Sequence, residues 1–529
     1  MPSFWDVWKN TTQNPGSNFI LHLTFQVPVI VTGWVGFYIK LIAMKPRSIF
    51  CVFAAVCLLA SCSKDPVYDP GSDDSDAMLK ARPVSGPVIL LPPSGGDDTD
   101  ALLAAIAAAP PRTTIQLSVG EYHFRPLEIR GFNGIIKGAG RGKTFLMPYG
   151  LIEAGPQYDL NLMPSWWHIL GGNVTISDLA FNTEDGSMLE DIDPYFNKAL
   201  ACLIIVNNYN FEYQFDNPQP MAFNFVNVDV LGGSIDPAIG GMGLPYNVIM
   251  ALWFGTDVWV PSGPLPLCNG TIKITNCTFY NVGQGFEAIG CGDKTTMHLT
   301  GNRTENVAWG TFFTGMYGSE VILTGNTFNG ASIAELSIGD WDWGLTGDTD
   351  FPDAQSVYFV TGNTFNTSHE INSLILRDDR GVAAPDLYLP TRVLVKNNRF
   401  NLCEGSTGIS CINSLGVQVR NNYFKGNAVT GVRVDGGDVY NLLTGAYCGI
   451  GDAKNNLIQG NNFSALSASE SDIFLGERSS QCIVLGNGKE SVIDLGTNNN
   501  IVGMKKIHGG QNPGLIIRDN FRMIHHMRR

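Results

Sequence analysis

The chain has 529 residues, a formal net charge of −14 and a sequence pI near 5.0. An acidic surface of this size repels phosphate backbones, and no basic run stands outside the extreme C-terminus, so nucleic acid is not expected as a partner. Gly 60 with only 16 % charged residues is typical of a turn-rich β protein rather than of a disordered chain.

A targeting signal covers residues 44–62. A positive start with Lys45 and Arg47 is followed by an apolar run at 49–60 and then by Cys62. Twelve apolar residues are too few to cross a bilayer as a helix. The segment resembles a bacterial lipoprotein signal peptide, which implies that Cys62 becomes the lipidated first residue of an exported protein. An uncleaved signal anchor is the alternative.

The regions on either side of this signal differ in composition. Residues 1–43 contain an apolar stretch interrupted by Thr, Gln and Pro, and we interpret them as an upstream region translated from a misplaced start or as an extra membrane segment. Residues 63–90 are rich in Asp, Ser, Pro and Gly. Such a stretch cannot bury enough apolar surface to fold, so we predict a flexible tether.

The cysteines after Cys62 give no metal or redox signature. Eight are present and none forms a C-x-x-C pair. Disulfides are permitted outside the cytoplasm, but buried thiols in a β core are the preferred interpretation. These cysteines are Cys202, Cys268, Cys277, Cys291, Cys403, Cys411, Cys448 and Cys482.

The stretch "IIKGAGRGKTFL" at 135–146 nearly matches a phosphate-binding loop. That loop needs a glycine five residues before Gly142, and the position holds Lys137. Pro148 also stands where the following helix should run. Nucleotide is therefore not an expected partner.

The body begins with an Ala-rich helix that we place from Thr99 to Ala109. Asp97 and Asp98 precede it as caps, and the prolines at 110–111 end it. Short strands are predicted at 114–117 and 122–124. An open solenoid exposes an apolar end, and this helix is placed to cover it.

From Val174 onward, a phrase of alternating apolar residues ending in Phe returns along the chain, and in its later copies an Asn stands two residues before the Phe. Examples are "VILTGNTF", "VLVKNNRF" and "VQVRNNYF", and the last two end 24 residues apart. Alternation predicts strands, and the near-constant period predicts a β solenoid with stacked Phe side chains inside. The Asn suits a left-handed corner and can hydrogen-bond to its equivalent in the next coil. The phrase ends at Phe181, Phe279, Phe328, Phe365, Phe400, Phe424 and Phe463, and the Asn recurs at Asn302, Asn326, Asn363, Asn398, Asn422 and Asn461.

These features together resemble the pectin-lyase-like superfamily over about residues 91–510, with a tail at 511–529. The resemblance implies an all-β, single-stranded, right-handed parallel β-helix with an N-terminal capping helix. The catalytic signatures of polygalacturonases and classical pectate lyases are absent, so no family residue can be transferred. The motifs that carry the resemblance are Asp97-Asp98-Thr99 with Ala101-Leu102, Gly120-Glu121-Tyr122-His123-Phe124, and Gly138-Ala139-Gly140 with Lys143-Thr144.

Charged residues follow the Asn-Phe corners and would form a ladder on one outer face of stacked coils. Arg can clamp the carboxylates of an acidic glycan, and carboxyl groups can act as acid, base or Ca²⁺ ligands. Ordinary solvated charges or weak ion pairs are the alternative for each residue. The candidate catalytic residues are Glu287, Glu335, Arg377, Asp378, Asp379, Arg380, Arg433 and Asp435.

Aromatic residues in two long inserts are candidate substrate contacts. Indole rings stack on sugars, and the acids beside them would bind hydroxyl groups or Ca²⁺. The alternative is that these tryptophans fold back to cover the helix, and the tryptophans at 166–167 are expected to pack inside. The candidates are Trp341, Trp343, Asp340 and Asp342 in one insert and Trp253 and Trp259 in the other.

The sequence therefore predicts a lipoprotein held at the bacterial outer membrane through Cys62, facing the cell surface or the periplasm. We expect it to cleave an acidic, uronate-containing polysaccharide by β-elimination or hydrolysis. A non-catalytic glycan-binding or adhesion protein is the main alternative, and a purely structural solenoid is the third.

Overall fold

The computed structural model describes the solenoid and a short upstream hairpin. It describes residues 22–29, 33–40, 86–152, 164–183, 186–190, 192–193, 196–208, 221–255, 267–292, 295–340, 355–379, 382, 391–440, 447–487, 491–502 and 505–507. The signal peptide with Cys62 and the predicted C-terminal tail lie outside these residues. The predicted domain limits of 91 and 510 stay predictions, and the coils run from Val88 to Ile507.

The strands, numbered in chain order, form three parallel sheets around one core. Sheet A contains β3 Val88–Leu91, β4 Thr113–Leu117, β7 Asn133–Lys137, β10 Asn173–Asn182, β12 Met221–Leu231, β14 Gly270–Thr275, β17 Thr296–Thr300, β20 Glu320–Thr324, β23 Val357–Thr361, β26 Arg392–Lys396, β29 Gln418–Arg420, β34 Leu457–Gln459, β37 Ile483–Leu485 and β39 Asn500–Val502.

Sheet B is built from short strands and from parts of long ones. It contains β5 Gly120–Phe124, β8 Thr144–Pro148, the ends of β10 and β12, β15 Thr278–Tyr280, β18 Arg303–Glu305, β21 Thr327–Asn329, β24 Thr364–Asn366, β27 Arg399–Leu402, and the beginnings of β30 Tyr423–Asp435 and β35 Asn462–Leu475.

Sheet C completes each coil. It contains β6 Leu127–Arg130, β9 Ser165–Leu170, β11 Leu200–Asn207, β13 Val248–Gly255, β16 Gln284–Cys291, β19 Trp309–Met316, β22 Ala334–Asp340, β25 Asn372–Asp378, β28 Thr407–Ile412, the ends of β30 and β35, β38 Ser491–Asp494 and β40 Lys505–Ile507.

Three strand pairs lie outside these sheets. They are the antiparallel pair β1 His22–Val29 and β2 Gly33–Lys40, the antiparallel hairpin β31 Asp438–Tyr440 and β32 Tyr447–Ile450, and the parallel pair β33 Ala453–Lys454 and β36 Ser479–Ser480.

Each coil runs from sheet A through sheet B to sheet C, and every strand pairs in parallel with the equivalent strand of the next coil. Because β10, β12, β30 and β35 bend from one sheet into another, 34 strands are continuously hydrogen-bonded. This arrangement confirms the predicted right-handed parallel β-helix. Within the described residues, no helix has the length and apolar character needed to cross a membrane.

The capping helix α1 covers Thr99–Ala108, one residue shorter than predicted. Leu102 and Ala105 bury their side chains against the solenoid core, which closes its first coil. Asp97 accepts hydrogen bonds from the backbone N–H and the hydroxyl of Thr99 and so caps the helix. Asp98 instead accepts the backbone N–H of His123 and joins the helix start to β5.

The glycine-rich stretch at 138–144 is a corner between β7 and β8. A Cβ at Gly138 would lie 2.3 Å from the carbonyl oxygen of Asp178, so the backbones of adjacent coils touch there. The Thr144 hydroxyl closes the corner by accepting the N–H of Ala139 and donating to the carbonyl of Ser118. The prediction that these glycines form a coil corner is confirmed.

The recurring Asn residues form a buried hydrogen-bonded row at the corner between sheets A and B. From Asn326 onward, each accepts, through its side-chain oxygen, the backbone N–H and the side-chain amide of the Asn one coil earlier, and Asn302 accepts the N–H of Cys277. Asn422 is typical, accepting from Asn398 at 2.9 and 3.0 Å. The residue before each Asn, not the Asn itself, has the left-handed backbone, as Gly325 with φ 64° and Asn397 with φ 57° show. The predicted ladder is therefore confirmed, but the left-handed residue is the one before each Asn and not the Asn that the sequence predicts.

The phenylalanines stack beside this row. Ring centroids of Phe365 and Phe400 lie 4.6 Å apart with planes 2° from parallel, and Phe400 and Phe424 follow at 4.8 Å. Thr304 takes the place of a ring in the coil between Phe279 and Phe328. The apolar ladder that the repeat predicts is thus the central packing element of the solenoid.

Candidate active site

Strands β11 and β13 of sheet C differ from the strands of sheet A because both of their faces are buried. All eight residues of β11 and of β13 are buried, whereas buried and more exposed residues alternate along β20 of sheet A. Strand register places one outward-facing residue of each sheet C strand on a line that we call the outer row. In chain order the outer row is Glu128, His168, Ile205, Trp253, Glu287, Phe312, Ser337, Ile375, Ser410, Arg433 and Phe474.

The outer-row residues Ile205 and Trp253 belong to an apolar cluster separate from the main core. Ile205, Met250, Trp253 and Ile289 pack together there, with Phe196 against them. Trp253 is only 3 % exposed, so its ring supports neighbouring side chains and does not offer a face to a sugar.

Glu335 does not face outward as the sequence predicts. Register aligns it with Gly310 and Gly408, and a Cβ at either glycine would lie 2.9 Å from a ring of the phenylalanine stack. Glu335 is fully buried in the equivalent position, and its Oε1 accepts the backbone N–H of Ala331 at 3.2 Å. Burial raises its pKa to about 8. It is an interior acid that a substrate in a groove cannot reach.

The densest predicted group is a buried brace. The Arg377 guanidinium donates to both carboxylate oxygens of Asp379, at 3.3 and 3.2 Å, and to the carbonyl of Asp438 at 2.6 Å. The Asn413 amide donates to Asp379, and its oxygen accepts the N–H of Gly437. Burial raises the pKa of Asp379, and Arg377 opposes that rise. The network holds the root of the β31–β32 hairpin, while Asp378 is buried at the end of β25.

Arg433 lies at the centre of a second charged group on the outer row. Its two terminal nitrogens are 3.8 Å from Asp435 and 3.6 Å from Glu470, and its guanidinium lies 4.4 Å from the centroid of the Phe474 ring. The Arg433 side chain is 26 % exposed, in contrast to 10 % for Arg377. Arg433 is thus supported from three sides and open on the remaining one.

The two carboxyl groups beside Arg433 are both biased toward the protonated form. Burial raises the pKa of Asp435 and of Glu470, although Arg433 acts in the opposite direction on each. Both carboxyl groups lie within 4 Å of the Arg433 guanidinium, and the charge of Asp435 adds to the rise in the Glu470 pKa, so the two acids interact electrostatically. One carboxylic acid and one carboxylate on either side of the same arginine can donate and accept a proton on a shared ligand.

Gly476 makes room for this arrangement. It lies beside Asp435 in the next coil, and a Cβ there would be 2.0 Å from the Asp435 carboxyl carbon. Only glycine leaves the space that Asp435 occupies.

Glu470 and Phe474 are functional candidates that the sequence reading missed. Glu470 precedes the strand phrase "DIFL" by two residues, in a run of Ser and Ala that carries no repeat signal. Its spacing of four residues from Phe474 becomes informative only once Phe474 is known to pair with Arg433.

Glu287 stays partly exposed, and no cation in the described part of the chain contacts it. Register sets it between Trp253 and Phe312 on the outer row. The Gln284 amide donates to its Oε2 at 3.0 Å, and no other described residue bonds to its carboxyl group. Burial raises the pKa of Glu287 to about 7.

Several predicted site residues lie outside the described residues: Trp259, Trp341, Asp342, Trp343 and Arg380, with the side chain of Asp340. Among the residues that are described, no group of three or more His, Cys, Asp or Glu side chains could hold a metal ion. Ca²⁺ dependence therefore stays a prediction.

The remaining polar and aromatic candidates have structural roles. Trp166 and Trp167 are fully buried and pack edge-on against Phe181, as expected. His168 is buried on the outer row, where its Nε2 lies 3.1 Å from Asn207, and burial lowers its pKa to about 4. No disulfide joins the eight described cysteines, and six of them are buried.

Comparisons with known proteins find similarity only among solved structures. No protein-family model matches the chain, and no curated protein is detectably similar to it. The A-module of mannuronan C-5 epimerase AlgE6 from Azotobacter vinelandii is 13 % identical, covering 78 % of this chain and 96 % of that one at a TM-score of 0.43. DFA-IIIase from Arthrobacter chlorophenolicus without its lid is 11 % identical, covering 76 % and 92 % at 0.41. Tailspike protein 3 of bacteriophage CBA120 is 11 % identical, covering 96 % and 69 % at 0.40. These values describe a distant likeness, from which no residue role is carried over.

Proposed function

We propose that this chain cleaves an acidic polysaccharide by β-elimination at Arg433, Asp435 and Glu470. The observation that carries the proposal is an arginine on the outer row, open on one side, with a partly buried carboxyl group on each flank. Arg is the side chain best suited to a planar carboxylate such as that of a uronate. The aromatic ring of Phe474 behind the guanidinium keeps it in place.

β-Elimination requires one base and one acid near a bound uronate. In the elimination, a carboxylate takes the proton from C5, the C4–O bond breaks, and the released electron pair forms the C4–C5 double bond. The departing oxygen takes a proton from the second carboxyl group. Arg433 lowers the energy of the step by neutralising the uronate carboxylate, next to which negative charge develops. Asp435 and Glu470, whose pKa values are both raised, supply the acid and the base.

The test uses the full chain in detergent with polygalacturonate and alginate, with and without Ca²⁺. Elimination releases reducing ends together with the ultraviolet absorbance of the new double bond. We expect Glu470→Gln, Asp435→Asn and Arg433→Gln each to lower kcat about 100-fold or more. The matched control is Arg478→Gln, which removes only an exposed guanidinium that contacts Asp452 in the same region. New reducing ends without the ultraviolet absorbance would show that the reaction is hydrolysis and not elimination. Turnover that survives all three substitutions would refute this site.

We also propose that the protein is exported and held at the outer membrane by a lipid on Cys62. The support is the order of charges, apolar run and cysteine at 44–62. Cells fed radiolabelled palmitate should label the protein, and Cys62→Ser should abolish the label and release the protein from the membrane fraction. A labelled Cys62→Ser protein would contradict the proposal.

A further inference from the structure

The buried brace contacts the chain segment that carries Asp435. The backbone N–H of Asn413 donates to the carbonyl of Asp435 at 3.0 Å, and the Asn413 side-chain oxygen accepts the N–H of Gly437 at 2.6 Å. Asn413 therefore holds the main chain on both sides of Gly436. The direction in which the chain leaves Asp435 depends on this one residue.

The other two members of the brace hold Asn413 and the same segment. The Asn413 amide donates to Asp379, while Arg377 donates to Asp379 and to the carbonyl of Asp438. All three side chains of the brace are buried. Because a buried network with satisfied hydrogen bonds is rigid, the main chain at 435–438 is fixed by it.

This main-chain path determines how the Asp435 carboxylate is hydrogen-bonded. Its Oδ1 accepts the N–H of Gly436 at 2.9 Å and that of Arg478 at 3.4 Å. Burial raises the pKa of Asp435, and these two donors, together with Arg433, act to lower it. A general base must be ionised before it can take a proton, so the path of the main chain affects reactivity as well as stability.

We propose that Asn413 is a positioning residue, through which the brace keeps the Asp435 carboxylate oriented and ionised as the base of the elimination. This inference rests on the proposed function, because it needs Asp435 in the reaction. It also gives a role to Arg377 and Asp379, which the sequence predicts as catalytic residues. They act on the reaction through Asn413 and the segment at 435–438, and not on the substrate.

Several charged groups face Asp435 from outside the brace. Arg433 lies on the same strand, and Glu470, Glu477 and Arg478 come from the coil of β35. A substitution within the brace leaves all four in place. A change in the ionisation of Asp435 would therefore report the loss of its orientation.

The test substitution is Asn413→Gly. Asn413 has a left-handed backbone with φ 53°, which glycine adopts without strain, so the variant removes the side chain and preserves the corner. We expect kcat at the pH optimum to fall about tenfold, with KM changed by less than about twofold. Because Asp435 loses its well-placed donors, its pKa rises, and the acid limb of the kcat profile should move to higher pH by about one unit.

The measurement is kcat across pH for the full chain in detergent, on whichever of polygalacturonate and alginate the unsubstituted protein cleaves. Arg377→Lys is the second variant, because it weakens the bond to the carbonyl of Asp438 and should shift the limb in the same direction. The matched control is Asn306→Gly, which removes an amide bond between coils at another left-handed corner and should leave kcat and the limb unchanged.

The outcomes separate this inference from the proposed function. Circular dichroism identifies the variants that fold, and thermal unfolding measures the purely structural effect. An unshifted acid limb in a folded Asn413→Gly or Arg377→Lys protein would overturn the positioning role, whatever happens to kcat, and the proposed function would stand. If the unsubstituted protein cleaves neither polysaccharide, or if Asp435→Asn keeps full activity, both fail together.

Discussion

Sheets A and C are built from the same coils but face different surroundings. In β20 of sheet A, Val321 and Leu323 point into the core while Glu320 is exposed. In β13 of sheet C, every residue from Val248 to Gly255 is buried. Sheet A therefore separates the core from water, whereas β11 and β13 of sheet C separate the core from a second apolar cluster.

This difference explains where charged side chains are tolerated. On sheet A a charge needs no partner, because water solvates it. On sheet C a charge must be paired, as Arg377 and Arg433 are, since an isolated buried charge is costly. Glu287 and Glu335 differ from these arginines, because no cation among the described residues contacts either carboxyl group and burial raises both pKa values.

The largest effect should come from the core that both sheets share. Phe400→Ala removes a ring stacked on both sides and should lower the free energy of unfolding by about 4 kcal/mol. Urea denaturation followed by circular dichroism measures the change. A loss below about 1 kcal/mol would mean that the stack is not continuous.

The interior acid should make stability depend on pH. The Glu335 pKa is about 8 in the folded chain against 4.5 as its ordinary value, so the folded state binds more protons between these pH values. Stability contributed by this residue is present at low pH and is lost as the pH rises through that window. Glu335→Gln should then stabilise the protein by about 3 kcal/mol near pH 9 and by little near pH 5. Urea denaturation midpoints at both pH values test this. An equal change in stability at both pH values would mean that the Glu335 pKa is not raised, as for a carboxyl group in water.

A paired substitution tests the contrast between the sheets directly. Ile205 is fully buried on the outer face of sheet C, and Ile322 is half-buried on the outer face of sheet A. Ile205→Ala should cost about 3 kcal/mol of unfolding free energy and Ile322→Ala about 1 kcal/mol or less. Equal losses in denaturation would show that both outer faces have the same surroundings.

The smallest effect belongs to an exposed ion pair. Arg478 contacts Asp452 at 3.2 Å with both side chains substantially exposed. Arg478→Ala should change the free energy of unfolding by no more than about 0.5 kcal/mol, and added salt should not alter that result. A loss above about 2 kcal/mol would reveal a structural role that this geometry does not show.

The repeat was readable from sequence because it depends on local rules. Alternation and the recurring Asn and Phe identified the strands and corners of the repeat, and the acids at 97–98 identified α1 to within a residue, whereas β5 begins two residues before its predicted start. The orientation of Glu335 was not readable, because the chain turns a corner beside it and alternation no longer tells inside from outside. Glu470 was also hidden, since its contact with Arg433 joins two different coils.

The sequence by itself therefore determined the solenoid, its buried Asn and Phe rows and its capping helix, since each depends on short-range periodicity and residue type. Only the tertiary structure decided which charges meet. Coils of unequal length stack in register, so residues as far apart in sequence as Arg377 and Asp438 become neighbours. The physical reason is that burial and pairing of a charge are set by the coils above and below it, which no single repeat contains.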